Sequence, residues 1–269
     1  MDPNGKVALI TGAGSGIGRA TALLLAENGV SVVVADINES GGNETVEQVK
    51  AAGGEAAFVR ADVRSHDDVA AMVAFTKETY GGLDIAYNNA GVGTPGPRFP
   101  EAKPEDWERT FMIDLLAVVS CVQAQVPAMK ERGGGVIIST ASIAGLMGYM
   151  PDPIYAAAKH GVVGLTRSME FLKAEANIRV NCVCPGVVDT PMVRQVRDNA
   201  DPKARAQAEA MLASMPLIEP RTIAETVLDL IRDDSANGRA MSITYGRPAR
   251  VVEAPMRFGR PDPAQERRG

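Results

Sequence analysis

Short apolar runs recur along the chain, separated by stretches of helical periodicity that end in glycine. Lys6–Ile10, Ser31–Ala35, Ala56–Arg60, Leu83–Tyr87, Val136–Ser139, Ile178–Val183 and Ala240–Thr244 are such runs. Their length and their Val, Ile and Ala content suit strands buried on both faces. Between them lie predicted helices at Arg19–Asn28, Gly42–Ala52, His66–Tyr80, Glu105–Lys130, Ala156–Ala176 and Arg221–Arg232. Gly29, Gly53-Gly54, Gly81-Gly82 and Gly133–Gly135 follow four of them as stop signals. Strands alternating with helices at this spacing predict βαβ units, a parallel sheet and an α/β fold.

The first strand runs into Thr11-Gly12-Ala13-Gly14-Ser15-Gly16-Ile17-Gly18. A glycine-rich turn between strand and helix lets the backbone approach a pyrophosphate, whose charge the helix N-terminus favours. Asp36 ends the second strand, with Ile37 beside it and no Arg or Lys in the next residues. A carboxylate there accepts hydrogen bonds from an adenosine ribose and repels a 2′-phosphate, which favours NAD over NADP. Asn88-Asn89-Ala90-Gly91 follows the fourth strand, at the sheet edge where open α/β sheets bind ligands. Small Ala90 and Gly91 would let a cofactor lie close.

Proton-transfer chemistry is suggested by Ser142, Tyr155 and Lys159. Tyr155 and Lys159 are four residues apart, on one face of a helix whose start Pro151-Asp152-Pro153 marks. A phenol with a pKa of about 10 is a poor base at neutral pH, and a neighbouring positive charge lowers that value. Lys159 supplies such a charge, and an oxidised nicotinamide would supply another. Ser142, thirteen residues before Tyr155, can hydrogen-bond a substrate oxygen as charge develops on it. Taken alone, Tyr-x-x-x-Lys also describes an ordinary surface helix; the glycine turn changes that balance.

Composition narrows the picture without redirecting it. The 269 residues are 45% hydrophobic with a formal charge of −5, enough for a full core and unsuited to nucleic acid as a main partner. No run of eighteen apolar residues and no signal-peptide layout are evident, so a cytoplasmic protein without a membrane span is expected. The odd cysteine count fits a reducing compartment, and Cys121, Cys182 and Cys184 read as buried apolar residues rather than metal ligands.

In the order and spacing of Thr11-Gly-x-x-x-Gly-x-Gly18, Asp62-Val63, Asn88-Asn-Ala-Gly91, Ser142, Tyr155-x-x-x-Lys159 and Pro185-Gly186, the chain resembles the short-chain dehydrogenase/reductase family over roughly residues 5–245. The resemblance implies a doubly wound Rossmann-type sheet of seven parallel strands, in order 3-2-1-4-5-6-7, and a homo-oligomer, dimer or tetramer. It implies Tyr155 as acid/base, Ser142 as the group orienting the substrate oxygen, and Lys159 on the nicotinamide ribose. It further implies that Gly12, Ser15, Gly16, Ile17, Gly18, Asp36, Ile37, Asp62, Val63, Asn89, Ala90, Gly91, Pro185, Gly186, Val188 and Thr190 line the cofactor. Within that set Asp62 and Val63 bracket adenine, and Val188 and Thr190 hold the carboxamide.

The chain departs from the pattern twice. The family's catalytic asparagine falls on Asp114, seven residues after Trp107. Its charge is expected to act on Lys159 and shift the pH profile. After the last strand stands Ile243-Thr244-Tyr245-Gly246-Arg247, not the family's Asp-Gly-Gly-like turn.

The expectation is one catalytic domain over residues 1–245, with a substrate lid at about 187–220. The tail 246–269 is either disordered or packed on a partner subunit. Thr94, Leu146, Met147, Tyr149, Met150, Val187 and Met192 are expected to form an apolar pocket, with Met211, Leu212 and Met215 in the lid. The activity expected is NAD-dependent hydride transfer to or from an apolar secondary alcohol or its ketone, without a metal. A non-catalytic nucleotide-binding scaffold and an epimerase or dehydratase are the alternatives, because fold does not fix reaction.

Overall fold

Alternate residues along the central strands serve two different cores. In the computed structural model, which describes residues 1–198 and 216–254, Ala8, Ile10, Val32 and Val34 enter one core while Leu9, Val33 and Ala35 enter the other. Burial on both faces explains why these strands read as continuous apolar runs. The sheet order is β3-β2-β1-β4-β5-β6-β7-β8. The strands are β1 Val7–Thr11, β2 Ser31–Asp36, β3 Ala56–Arg60, β4 Ile85–Asn88, β5 Gly135–Thr140, β6 Ile178–Pro185, β7 Ala240–Ile243 and β8 Arg250–Val251. The pairs from β3 through β7 are parallel, as expected.

The seven expected parallel strands stand in the expected order, and an eighth strand is added at the β7 edge. Arg250 and Val251 pair antiparallel with Ser242 and Met241, and the Val252 N–H donates to the Ala240 carbonyl. The first part of the 246–269 segment therefore caps the sheet edge of its own chain. Two exposed residues carry no hydrophobic pattern, so the sequence offers no signal for this strand. Residues 255–269 lie outside the described residues.

The helices α1 Gly16–Glu27, α2 Glu39–Ala51 and α9 Pro220–Arg232 feed the first core. The second receives α3 His66–Tyr80, α5 Ala117–Glu131 and α6 Pro153–Ser168. Short α7 Leu172–Ala176 follows α6, so the expected helix 156–176 is broken at Met169–Phe171. The expected helix 105–130 is also subdivided. It comprises α4 Pro104–Phe111, a π-helical turn Met112–Leu116 and α5. Within this composite helix, 44% of the most apolar window is buried. It is long and apolar enough to cross a membrane by length and composition, yet its buried face belongs to the second core.

Helix α8 Pro191–Asp198 begins the expected lid. The lid's two ends are clasped together. The Ile218 N–H donates to the Val187 carbonyl, and the Asp189 N–H to the Ile218 carbonyl, both at 2.9 Å. Met211, Leu212 and Met215 lie outside the described residues. All three cysteines are buried.

Candidate active site

Strand order reverses between β1 and β4, and a crevice opens beyond their C-terminal ends. Thr11 ends β1, and its hydroxyl accepts the N–H groups of Asn89 at 3.0 Å and Ala90 at 3.1 Å. Asn89 returns the tie by donating its side-chain amide to the Thr11 and Gly12 carbonyls, both at 3.2 Å. Asn88 points the other way. It is 3% exposed and exchanges two hydrogen bonds with Gln125, so of the asparagine pair only Asn89 faces the crevice.

Glycines and an open helix end form a cradle at this crevice. Gly16 has φ +53°, and a Cβ there would lie 3.0 Å from the Thr190 methyl, so the glycine turn and the loop after β6 nearly touch. Ser15 stands at the N-cap of α1 without capping through its side chain, and the first turn contains no acid. The leading N–H groups of α1 thus remain available to an anion. The Asp36 carboxylate accepts the Gly14 N–H at 2.7 Å and the Asn38 N–H at 2.8 Å. It is fixed beside the turn with lone pairs still free. Ile37 is exposed. Open helix end, glycine cradle and fixed carboxylate fit a dinucleotide whose ribose lies at Asp36.

Asp62, the residue expected beside adenine, is paired within its own chain. Its carboxylate is engaged by Arg64 at 2.5 Å, and this contact holds the acid below the usual carboxylate range. The Asp62 N–H goes to Asp68 at 2.9 Å. Val63 is half-buried beside it.

Lys159 is the centre of the second half of the site. Its ammonium, 2% exposed, donates to the Thr140 carbonyl at 3.0 Å and lies 3.2 Å from Asp114 Oδ1. The same Nζ stands 5.5 Å from the centroid of the Tyr155 ring. Burial works against this charge, but Asp114 and then Tyr155 outweigh it and hold the ammonium above its ordinary value.

Asp114 sits in the π-helical turn and is fully buried. Its Oδ1 also accepts the Val92 N–H at 3.0 Å, while Oδ2 has no hydrogen-bond partner. Burial pushes this carboxyl up from the usual range, and Lys159 and the Val92 N–H pull it back. A π-helical turn adds a residue to the helix and turns its neighbours, a device common at functional sites. Gly91 makes room for it, since a Cβ there would lie 2.6 Å from Asp114 Oδ1.

Tyr155 is in the first turn of α6, which Asp152 caps by accepting the Tyr155 N–H at 2.9 Å. This is the cap that Pro151-Asp152-Pro153 predicts. Burial pushes the Tyr155 phenol above its ordinary pKa. Lys159 pulls it down, Asp114 pushes it up, and hydrogen bonding to Ser142 pulls it down again. In the protein alone, burial wins over Lys159. Ser142 caps a 3₁₀ turn, Ile143–Gly145, and its Oγ accepts the Ala144 N–H at 3.1 Å.

Of the other expected contacts, Val188 and Thr190 are buried, with the Thr190 Oγ1 3.4 Å from the Val188 carbonyl. Pro185 ends β6, and the Gly186 N–H donates to Ile243. Met147, Tyr149 and Met150 are exposed on the loop before α6, whereas Leu146 packs against the second core. Val187 and Met192 are half-buried. The Thr94 hydroxyl is taken up by Asp152 and does not stand free in the pocket. Thr11, Thr140 and Asp152 hold the site together, and no motif marks Thr140.

A family model described as short chain dehydrogenase matches residues 6–201. The chain belongs to the short-chain dehydrogenase family. It is 42% identical over 233 residues to a cyclohexanol dehydrogenase of Acinetobacter sp. (strain SE19), covering 87% of this chain and 90% of that protein. A cis-4-hydroxycyclohexanecarboxylate dehydrogenase of Sinomonas cyclohexanicum is 39% identical over 228 residues, covering 85% and 90%. Among solved structures, a short-chain dehydrogenase/reductase from Burkholderia phymatum in complex with NAD superposes with a TM-score of 0.80. It is 31% identical, and the match covers 88% of this chain and 89% of that one. This short-chain dehydrogenase is therefore an oxidoreductase of the Rossmann-like α/β class.

Proposed function

We propose that this protein is an NAD-dependent dehydrogenase for apolar secondary alcohols, alicyclic ones foremost, with Tyr155 as acid/base. The observation that carries the reading is the convergence of Ser142, Tyr155 and Lys159 beside a glycine cradle whose ribose end carries the fixed Asp36 carboxylate. Hydride transfer is the chemistry that a nicotinamide supplies when bound. The remaining work falls to the chain. The Ser142 hydroxyl orients the alcohol oxygen. Tyr155, as phenolate, takes the hydroxyl proton at Oη and returns it in the reverse direction. Lys159 lowers the cost of that phenolate, and Thr140 fixes where the ammonium stands.

Apolar side chains at the mouth support the substrate class. Met147, Tyr149 and Met150, on the loop that leads into the Tyr155 helix, are large, exposed and uncharged. The cyclohexanol relative supports a ring-sized alcohol. A homo-oligomer is supported by the exposed apolar stripe Met112, Leu116 and Val119 along one side of the composite helix.

The test is NADH formation from NAD⁺, with NADP⁺ in parallel, against cyclohexanol, larger apolar secondary alcohols and cis-4-hydroxycyclohexanecarboxylate. Turnover of the neutral alcohols with NAD⁺ is the expected result. Preference for the charged hydroxy acid would overturn the substrate class, and preference for NADP⁺ would overturn the role of Asp36.

A further inference from the structure

The chain segment after β4 is anchored by the adjacent Asn89 and Ala90 amides, both on the Thr11 hydroxyl, and from Ala90 on at every second amide. The Ala90 N–H donates to the Thr11 hydroxyl at 3.1 Å, the Val92 N–H to Asp114 at 3.0 Å, and the Thr94 N–H to Asp152 at 3.0 Å. This is the period of a strand, with side-chain oxygens standing in for a neighbouring strand's carbonyls. The last anchor is the most elaborate. Asp152 Oδ2 takes the Thr94 N–H, and Oδ1 takes both the Thr94 hydroxyl at 2.9 Å and the Tyr155 N–H at 2.9 Å. Thr110, fully buried, stands 3.2 Å behind the Thr94 hydroxyl and donates to it.

One carboxylate therefore does two things. It caps the helix that carries Tyr155, and through Thr94 it fixes the start of the loop 93–103. A cap alone would need a single oxygen, and serine or asparagine would serve as well. The second oxygen and the threonine pair have no part in capping. We propose that Asp152 and Thr94 are positioning residues that lock the 93–103 loop in register with Tyr155, so that the alcohol pocket and the acid/base group form one rigid unit.

The inference rests on the reading of the site as an alcohol pocket only for its kinetic arm. Thr94→Val removes the hydroxyl that bridges Thr110 and Asp152 while preserving shape and leaving the cap intact. Asp152→Ser keeps a capping oxygen but is too short to hold Thr94. Thr94→Ser restores the hydroxyl. With cyclohexanol and NAD⁺, Thr94→Val and Asp152→Ser are each expected to raise the alcohol KM about tenfold, the scale of one charge-assisted hydrogen bond. The NAD⁺ KM should stay within about twofold, and Thr94→Ser should return the alcohol KM to near the original value. Combined, the two substitutions should cost little more than either alone, because they break one link.

Hydrogen exchange on the protein without substrate gives the independent arm. Both variants should speed exchange over 93–103, and Thr94→Val should do so without changing exchange in the first turn of α6. Unchanged exchange over 93–103 in both variants would overturn the proposal, whatever the kinetics. Additive KM effects would overturn it too, because the two residues would then act separately. If the unaltered protein does not oxidise cyclohexanol, the substrate reading fails while the exchange result still decides the clamp.

Discussion

The Asp114 carboxylate and the Lys159 ammonium face each other at 3.2 Å, with side chains 0% and 3% exposed. A charge pair this deep changes what Lys159 can do for Tyr155. Lys159 favours the phenolate, while Asp114 opposes it from behind. Asp114→Asn removes the opposing charge and retains an oxygen for the Val92 N–H. The acid limb of the pH–rate profile should then move to lower pH, because Tyr155 ionises more easily. Measured kcat/KM against pH checks this, and an unmoved limb would show that Asp114 does not act on Tyr155. Asp114→Ala is a harsher change. It leaves the Lys159 charge buried and unpaired and should cost about 3–5 kcal/mol of stability, read from denaturant unfolding.

The sheet was legible because a parallel strand buried on both faces announces itself as an unbroken apolar run. The glycine turn and the Tyr155 cap were legible because their chemistry is local: Asp152 and Pro153 act within one turn of the residues that name them. What stayed hidden is tertiary. The π-helical turn at Asp114 leaves no mark in periodicity beyond an acid among apolar neighbours. Thr140 holds Lys159 through its backbone carbonyl, a contact that any residue could supply and that leaves no mark in the sequence. Asn88 and Asn89 look alike in sequence, and only the sheet geometry turns one toward Gln125 and the other toward Thr11. The ion pair between Asp62 and Arg64, two residues on, is likewise a structural detail that the motif does not announce.

Tyr155→Phe separates an enzyme from a nucleotide-binding scaffold. The substitution removes one oxygen from a partly buried side chain whose backbone N–H still binds Asp152. Fold and cofactor affinity should survive. Turnover should fall by at least about a hundredfold to ten-thousandfold, the usual contribution of a positioned acid/base. NADH titration by fluorescence alongside steady-state rates reads both quantities. A variant that keeps full turnover would remove Tyr155 from the mechanism.

Asp36 holds two backbone amides of its own chain, Gly14 in the glycine turn and Asn38 at the start of α2. It therefore shapes the cradle, in addition to the ribose-selecting role proposed for it. Asp36→Ser should raise the NAD⁺ KM by about ten- to a hundredfold, as expected when a charged hydrogen-bond acceptor is lost. The NADP⁺ KM should fall at the same time, since the charge that repels a 2′-phosphate is gone. The ratio of kcat/KM values for the two cofactors is the measurement. An unchanged ratio would mean that the ribose end lies elsewhere.

Met112, Leu116 and Val119 recur at four- and three-residue steps, so they share one side of the composite helix, and each is more than a third exposed. A water-facing stripe of this kind on a helix whose other side is core is costly for an isolated subunit. A second copy of the chain covering it accounts for both the apolar character and the absence of charge. Val119 stands in α5, one helical turn and more from Asp114, so a charge placed there disturbs the stripe rather than the site. Val119→Glu should shift the molecular mass from light scattering towards a smaller species and raise the dissociation constant about a hundredfold or more, because a carboxylate buried without a partner costs several kcal/mol. Far-UV circular dichroism should be unchanged. If the mass stays the same across a wide dilution range, the stripe is not the contact between subunits.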